Sequence, residues 1–235
     1  MSALTPSGTD QQRSRDEEQS PGDHEPRSPD RPSRAVTGRA LDLVGTCLAI
    51  VVFAPLMAAI AVAVKLDDRG PVLFGQERIG RNGRTFRMRK FRTMVVGAEL
   101  DPIDTVDEHG RSLGPLFNVA SDPRATRFGR ALRRTGLDEL PQLFNVLAGE
   151  MSLVGPRPAL PSEVAIFDAG LRRREIVLPG VTGLWQVLAH NNPSLDVYRQ
   201  LDLYYVDHCG VVGDVAILGW TLGQVLARCA GRRPG

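Results

Sequence analysis

The arrangement of apolar and polar residues divides the chain into three stretches. From Met1 to about residue 35 there is almost no large apolar side chain; Pro, Ser, Gly and charges of both signs predominate, so the segment cannot bury enough surface to offset its ordering entropy. From Leu41 to Val64 the pattern inverts: only Asp42 and Thr46 interrupt an apolar run about as long as a bilayer is thick. Residues 36–66 are therefore expected to form a membrane helix, with Pro55 near its middle removing a hydrogen bond and imposing a kink. Basic residues flank both ends (Arg34 and Arg39 before, Lys65, Arg69 and Arg78 after), so charge asymmetry gives no direction of crossing.

The remaining stretch, 67–235, alternates periods of two and of about 3.6. Phe86 and Met88 alternate with Arg87 and Arg89 after Asn82-Gly83, a dipeptide suited to a type I′ turn, which predicts a short β-hairpin with a basic face. Phe128 and Leu132, four apart among Arg127, Arg130, Arg133 and Arg134, predict a basic amphipathic helix. Further helices are expected from Ser162 toward Pro179, along L-D-V-Y-R-Q-L-D-L-Y-Y-V, and over about Val211–Arg228. The last carries Asp214 and several glycines, which favours lying in the membrane interface over crossing it. The fold class expected is mostly α with a small β-hairpin.

Composition narrows the picture. A chain of 235 residues, 42% hydrophobic and 24% charged, supports one sizeable core, hence one catalytic domain behind a polar leader and an anchor. A net charge of +2 is too small for nucleic acid to be the main partner. Cys47, Cys209 and Cys229 have no metal spacing and suit reduced thiols facing a cytoplasm, Cys47 as a small apolar filler.

The candidate chemistry lies between Arg133 and Pro158. Asp138 and Glu139 follow Arg133 and Arg134, and the stretch closes on G-P-R-P with Arg157. Thr135 and Asp138 have capping-box spacing and Pro141 suits a first turn, so the acids are expected among unpaired helix N–H groups that favour carboxylate and phosphate alike. From spacing alone, capping residues and a phosphate or metal site remain equally open. Asp101, Asp104, Asp107 and Glu108 lack the glycine and spacing of a calcium loop and read as a solvated loop. Trp185 reads as core packing, and His190, with no second histidine near it, as a loop residue.

The strings F-G-Q-E-R-I-G-R-N-G-R-T-F, K-F-R-T-M, L-D-E-L-P-Q-L-F-N-V-L, M-S-L-V-G-P-R-P and L-D-L-Y-Y-V, in this order, resemble the bacterial sugar transferase family, the monotopic phosphoglycosyl transferases. The resemblance runs from about Arg39 to the C-terminal helix. It implies a re-entrant helix that bends at Pro55 and returns to the cytoplasmic face of the bacterial cell membrane, where the residues alone favour an ordinary kinked crossing. The family's usual serine before the proline is replaced here by Ala54.

The resemblance further implies transfer of a sugar 1-phosphate from a UDP-sugar to undecaprenyl phosphate. Asp138 would be the nucleophile, and Glu139 a second Mg²⁺ contact or a base. Arg133 and Arg157 would hold phosphate, and Lys90 and Arg92 would sit at the nucleotide-sugar pyrophosphate. Mg²⁺ is the implied cofactor, membrane lipids the surroundings, and a homodimer is allowed. The competing function class is a non-catalytic membrane adaptor binding anionic lipid or a partner protein.

Overall fold

A computed structural model describes residues 32–98, 124–189, 194–208 and 210–231. The leader up to residue 31, the acidic run 101–108, His190 and Cys209 fall outside the described residues. The chain is mostly helical with a small two-stranded antiparallel sheet, as the residue pattern indicated.

Helix α1 spans Pro32–Asp68 and continues on both sides of Pro55. One stripe of it faces the protein: Asp42, Thr46, Met57, Ile60 and Val64 are buried and recur at helical spacing. Near the start, Asp42 Oδ1 accepts from Ser152 Oγ at 2.9 Å and Leu153 N at 2.8 Å, and Arg39 Nη1 donates to Val146 O at 2.8 Å. Near the end, Met57, Ile60 and Val64 pack with Phe91 and Leu132. The same body thus holds both halves of α1. Its other faces carry exposed Val44, Leu48, Val51, Val52, Val62 and Leu66, and Cys47 lies exposed among them. Asp42→Leu should leave the Leu153 amide without its acceptor and lower stability by about 1–3 kcal/mol; a detergent thermal melt unchanged from wild type would refute that clasp.

Strands β1 (Leu73–Ile79) and β2 (Thr85–Phe91) pair antiparallel, Gln76 opposite Met88. Asn82 and Gly83 both take positive φ, 57° and 73°, and Arg84 N donates to Arg81 O at 3.3 Å, which is the type I′ geometry expected of Asn-Gly. Arg87 and Arg89 face outward, while Met88 and Phe91 are buried and Lys90 is half-buried. Helix α2 is Arg127–Thr135, capped by Thr126 Oγ1 accepting from Gly129 N at 2.9 Å. A Cβ at Gly129 would lie 2.0 Å from Thr93 O, so glycine there lets α2 rest directly on the backbone leaving β2. Helix α3 (Gln142–Ala148) is locked to β2 by the fully buried Asn145, whose Oδ1 accepts from Arg89 N and whose Nδ2 donates to Arg87 O.

A second sheet, not foreseen, pairs β3 (Ser152–Val154) in parallel with β4 (Gly180–Thr182). The helix expected from Ser162 toward Pro179 is instead broken into α4 (Pro161–Val164), α5 (Ala169–Arg172) and a 3₁₀ turn over Arg173–Ile176. The break has a local cause: the Asp168 side chain accepts from Leu171 N at 2.7 Å and so opens a new helix. Next come α6 (Leu184–Leu188), α7 (Leu195–His208) and α8 (Val211–Cys229). Trp185 is buried and meets Tyr198 edge-on at 5.1 Å, the core role expected of it.

Candidate active site

The acid pair sits at a sharp change of direction between α2 and α3. Gly136, at φ 77°, terminates α2 in the left-handed region, and Leu137–Glu139 form a single 3₁₀ turn before Pro141 and α3. The capping box expected of Thr135 and Asp138 is not formed. Thr135 is the last residue of α2, and its Oγ1 donates back to Ala131 O at 3.1 Å and Leu132 O at 2.9 Å. Nor are the neighbouring amides all free, because Glu139 N donates to Gly136 O and Leu140 N to Leu137 O. Glycine at 136 explains the difference: it ends one helix and turns the next residues inward before another begins.

Side chains supply the positive charge instead. Asp138 is only 7% exposed, and Lys90 Nζ donates to Glu139 Oε1 at 2.5 Å. Arg133, from the last turn of α2, donates through Nε to Thr93 Oγ1 at 2.8 Å, which directs its guanidinium toward the acids. Burial and the neighbouring Glu139 push the Asp138 carboxyl up to about 6, while Lys90 and Arg133 pull it down. Asp138, Glu139, Lys90, Arg92, Arg133 and Arg157 all line one open groove of about 960 Å³. Arg92 is buried, its guanidinium against Gly70 in the link between α1 and β1. Pro55 is not part of this groove lining; it is exposed on α1.

Beneath the groove lies an ionic cluster that the sequence did not disclose. Arg157 Nη1 donates to both oxygens of Glu163, at 3.0 and 3.1 Å, and Glu163 is 0% exposed. The same carboxylate accepts from Leu160 N at 2.6 Å and lies 3.9 Å from Arg78 Nη1. Arg174 donates to Arg157 O and to the Tyr198 hydroxyl and pairs with Asp202 at 2.9 Å. Burial opposes the charge of Arg157, but Glu163 and Tyr198 outweigh it and hold its pKa above the usual range. Burial, with Arg157 nearby, lowers Arg78 to about 10, and burial raises Asp202 to about 6 against the pull of Arg174 and Arg157. Three guanidiniums face two carboxylates; Arg78 and Arg157 both line the groove, and Arg157 is the more exposed of the two, its side chain 21% exposed against 7%. The excess positive charge is therefore presented where an anion can reach it.

A sequence profile described as bacterial sugar transferase matches residues 33–228. The chain belongs to the bacterial sugar transferase family. Among its relatives, the exopolysaccharide production protein ExoY of Rhizobium meliloti is 37% identical over 205 residues, covering 83% of this chain and 88% of that protein. The undecaprenyl-phosphate galactose phosphotransferase of Salmonella typhimurium is 39% identical over 193 residues, 81% of this chain and 40% of that protein. The undecaprenyl-phosphate glucose phosphotransferase of Komagataeibacter xylinus is 40% identical over 195 residues, 78% of this chain and 35% of that protein. The chain spans about two fifths of the length of several other curated relatives.

For a sugar transferase, the six residues named from the sequence are thus gathered on one surface, and the residues that hold them are the ones sequence reasoning missed. Glu163, Arg78, Arg174 and Asp202 gave no signal because their partners lie far away in sequence or carry no motif spacing. Asp42 and Thr46 did give one: two polar residues four apart in an apolar run mark the face of α1 that meets protein.

Proposed function

We propose that this chain transfers a sugar 1-phosphate from a UDP-sugar to undecaprenyl phosphate at the cytoplasmic face of the bacterial cell membrane. The observation that carries the reading is Asp138, a nearly buried carboxylate lining a groove with Lys90, Arg92, Arg133 and Arg157. A carboxylate so placed can attack phosphorus because the cations offset the repulsion between two anions. A membrane adaptor has no use for such a group.

In the first step an Asp138 carboxylate oxygen bonds to the β-phosphorus. The bond from that phosphorus to the bridging oxygen breaks, and UMP leaves with the bridging oxygen and the electron pair. In the second, an oxygen of the lipid phosphate attacks the same phosphorus and the Asp138 oxygen departs, restoring the carboxylate and giving the diphosphate-linked lipid sugar. Lys90 and Arg133 flank the acids and would steady the equatorial phosphoryl oxygens, while Arg157 and Arg92 would hold the remaining phosphate.

The acid pair also suits Mg²⁺. No cluster of three or more metal-binding side chains occurs among the described residues, and Mg²⁺ is commonly held by one or two carboxylates together with substrate phosphates. Asp138 and Glu139 would hold it, and when bound it neutralises charge on the pyrophosphate.

Attachment to the membrane would use the exposed apolar faces of α1 and α8, the two helices among the described residues long and apolar enough to cross a bilayer. Because the body holds α1 at Arg39 and Asp42 and again at Met57–Val64, a re-entrant course with both ends on the cytoplasmic side fits better than a crossing. The deciding experiment incubates the protein in lipid nanodiscs with UDP-sugars and follows UMP. UMP release with β-phosphate label retained on the denatured protein is expected, and a metal chelator should stop both. Release without protein-bound label would remove the covalent step, and release undiminished by chelator would remove the metal.

A further inference from the structure

Among the described residues four glutamines line the groove, and three of them have their carboxamides committed to the protein. Gln76 Oε1 accepts from Arg78 Nη2 at 2.6 Å, Gln186 Nε2 donates to Val181 O at 3.2 Å, and Gln224 Nε2 donates to Val187 O at 2.7 Å. Gln142 differs. It is the first residue of α3, four after Asp138, and it is only 2% exposed, yet its side-chain amide makes no hydrogen bond to another described residue. A buried carboxamide without a partner is costly, and an apolar side chain of the same size would serve α3 better if packing were its only task. The chain is already helical at Leu137–Glu139 and stays in the right-handed region through Leu140 and Pro141 into α3. Residues four apart on such a path share a face. Asp138 and Gln142 therefore line the groove from the same side, Gln142 about one turn further along.

The cations near the acids already hold protein partners: Lys90 meets Glu139, Arg133 Nε meets Thr93 Oγ1, and Arg157 meets both oxygens of Glu163. Gln142 Nε2 is a donor that can reach a ligand without breaking any such contact. On the transfer reading, on which this inference rests, the phosphorus comes within bonding distance of the Asp138 carboxylate, and its non-bridging oxygens spread sideways from the line of attack. We propose that Gln142 is a catalytic residue whose Nε2 donates to a non-bridging oxygen of the transferred phosphoryl group in both half-reactions. The amide loses no proton and forms no bond to phosphorus; it is a fixed dipole aimed at an oxygen that stays charged while one bond to phosphorus forms and the other breaks. Because it is neutral, it does this without forming an ion pair with Asp138, which leaves the nucleophile free. Its place one turn from Asp138 sets it beside the phosphorus, whereas the sugar ring lies one bridging oxygen further off.

Gln142→Met in the full chain tests this, since methionine matches glutamine in length and bulk and lacks the donor. Wild type and variant are set in lipid nanodiscs with undecaprenyl phosphate, and UMP release is followed with UDP-galactose, UDP-glucose and UDP-N-acetylgalactosamine, using whichever donor the wild type turns over. The variant should lose about a hundredfold or more in kcat, as expected for removing one preorganised donor, with donor KM within about threefold of wild type. Its melting temperature should be equal or higher, because an unpaired buried amide has gone. A merely structural glutamine gives the opposite pair, a lower melting temperature with kcat kept within about threefold, and that result overturns the proposal. Should Gln142→Met fail to fold, Gln142→Glu takes its place, and its kcat should fall at least as far because a carboxylate repels the oxygen that the amide attracts. A second measurement uses donors with sulfur in place of one non-bridging β-oxygen, each diastereomer separately. Sulfur accepts hydrogen bonds poorly, so one diastereomer should slow the wild type and cost the variant little more. Penalties that multiply in full for both diastereomers overturn the phosphoryl contact. Absence of UMP release from the wild type defeats the transfer reading, whereas release that Gln142→Met leaves undiminished defeats this contact alone.

Discussion

Replacing Asp138 with asparagine should abolish sugar-phosphate transfer and at the same time make the protein more stable. The first effect follows from the proposed covalent step: an amide at that position cannot attack phosphorus, so UMP release and protein-bound label should both fall by at least about a thousandfold. The second follows from burial. The Asp138 carboxyl is pushed up to about 6 from an ordinary 3.8, by desolvation first and Glu139 second. A raised carboxyl binds its proton more tightly in the folded state than in the unfolded one, so stability declines as pH rises from about 4 to about 6 and stays reduced above that. At one pKa unit per 1.36 kcal/mol, keeping the charge buried at neutral pH costs on the order of 2–3 kcal/mol, which Asp138→Asn should largely recover. Melting temperature should therefore rise in the variant at pH 7.5, with the gain shrinking toward pH 4. The same shift sets the activity profile of the wild type, whose first half-reaction should fall as pH drops through about 6 and the carboxylate is lost. A variant that keeps full activity would end the mechanism, and one that melts lower at pH 7.5 would show that burial of the charge is not the strain inferred.

Glu163→Ala should be the most damaging substitution outside the acid pair. Glu163 is fully buried and holds Arg157 through both oxygens while also accepting from Leu160 N. Truncation strands Arg157 and Arg78 in a low-dielectric pocket, a loss of about 3–5 kcal/mol. The milder Glu163→Gln keeps the shape and tests whether the contact serves the donor. Arg157→Gln alone should raise the donor KM about tenfold or more, the loss expected for a charge-assisted contact to phosphate. If Glu163 acts by positioning Arg157, adding Glu163→Gln to Arg157→Gln should change donor KM little further. Independent, multiplying losses in the double variant would assign Glu163 to stability alone.

Local signals in the sequence were readable where one short stretch decides the geometry. Asn82-Gly83 could take the two positive φ values of its turn, and the alternation after it fixed which arginines face outward. The acid pair stood out by its company of arginines and its resemblance to a family. Geometry set by distant contacts was not readable. Thr135 looked like the start of a helix because a capping residue and a final-turn residue share the same chemistry; only Gly136, two residues before Asp138, distinguishes them. Strands β3 and β4 are three residues each and pair in parallel across an intervening run of 25 residues from Gly155 to Pro179, too short and too separated to leave a period-two signature. The ionic cluster under Arg157 was hidden for the same reason, since Arg78 and Glu163 meet only in the fold.

The clasp on α1 has a mechanical outcome. A helix that bridges two water phases must tilt or stretch its surroundings when acyl chains lengthen. Held to the body at Arg39, Asp42, Met57, Ile60 and Val64, α1 on the proposed re-entrant course would have its immersion set by the protein itself, much as a keel is set by its hull. On the proposed reading, the height of Asp138 above the hydrocarbon would then be the same in thin and thick membranes, and lipid remodelling would leave the approach of the lipid phosphate to the carboxylate undisturbed.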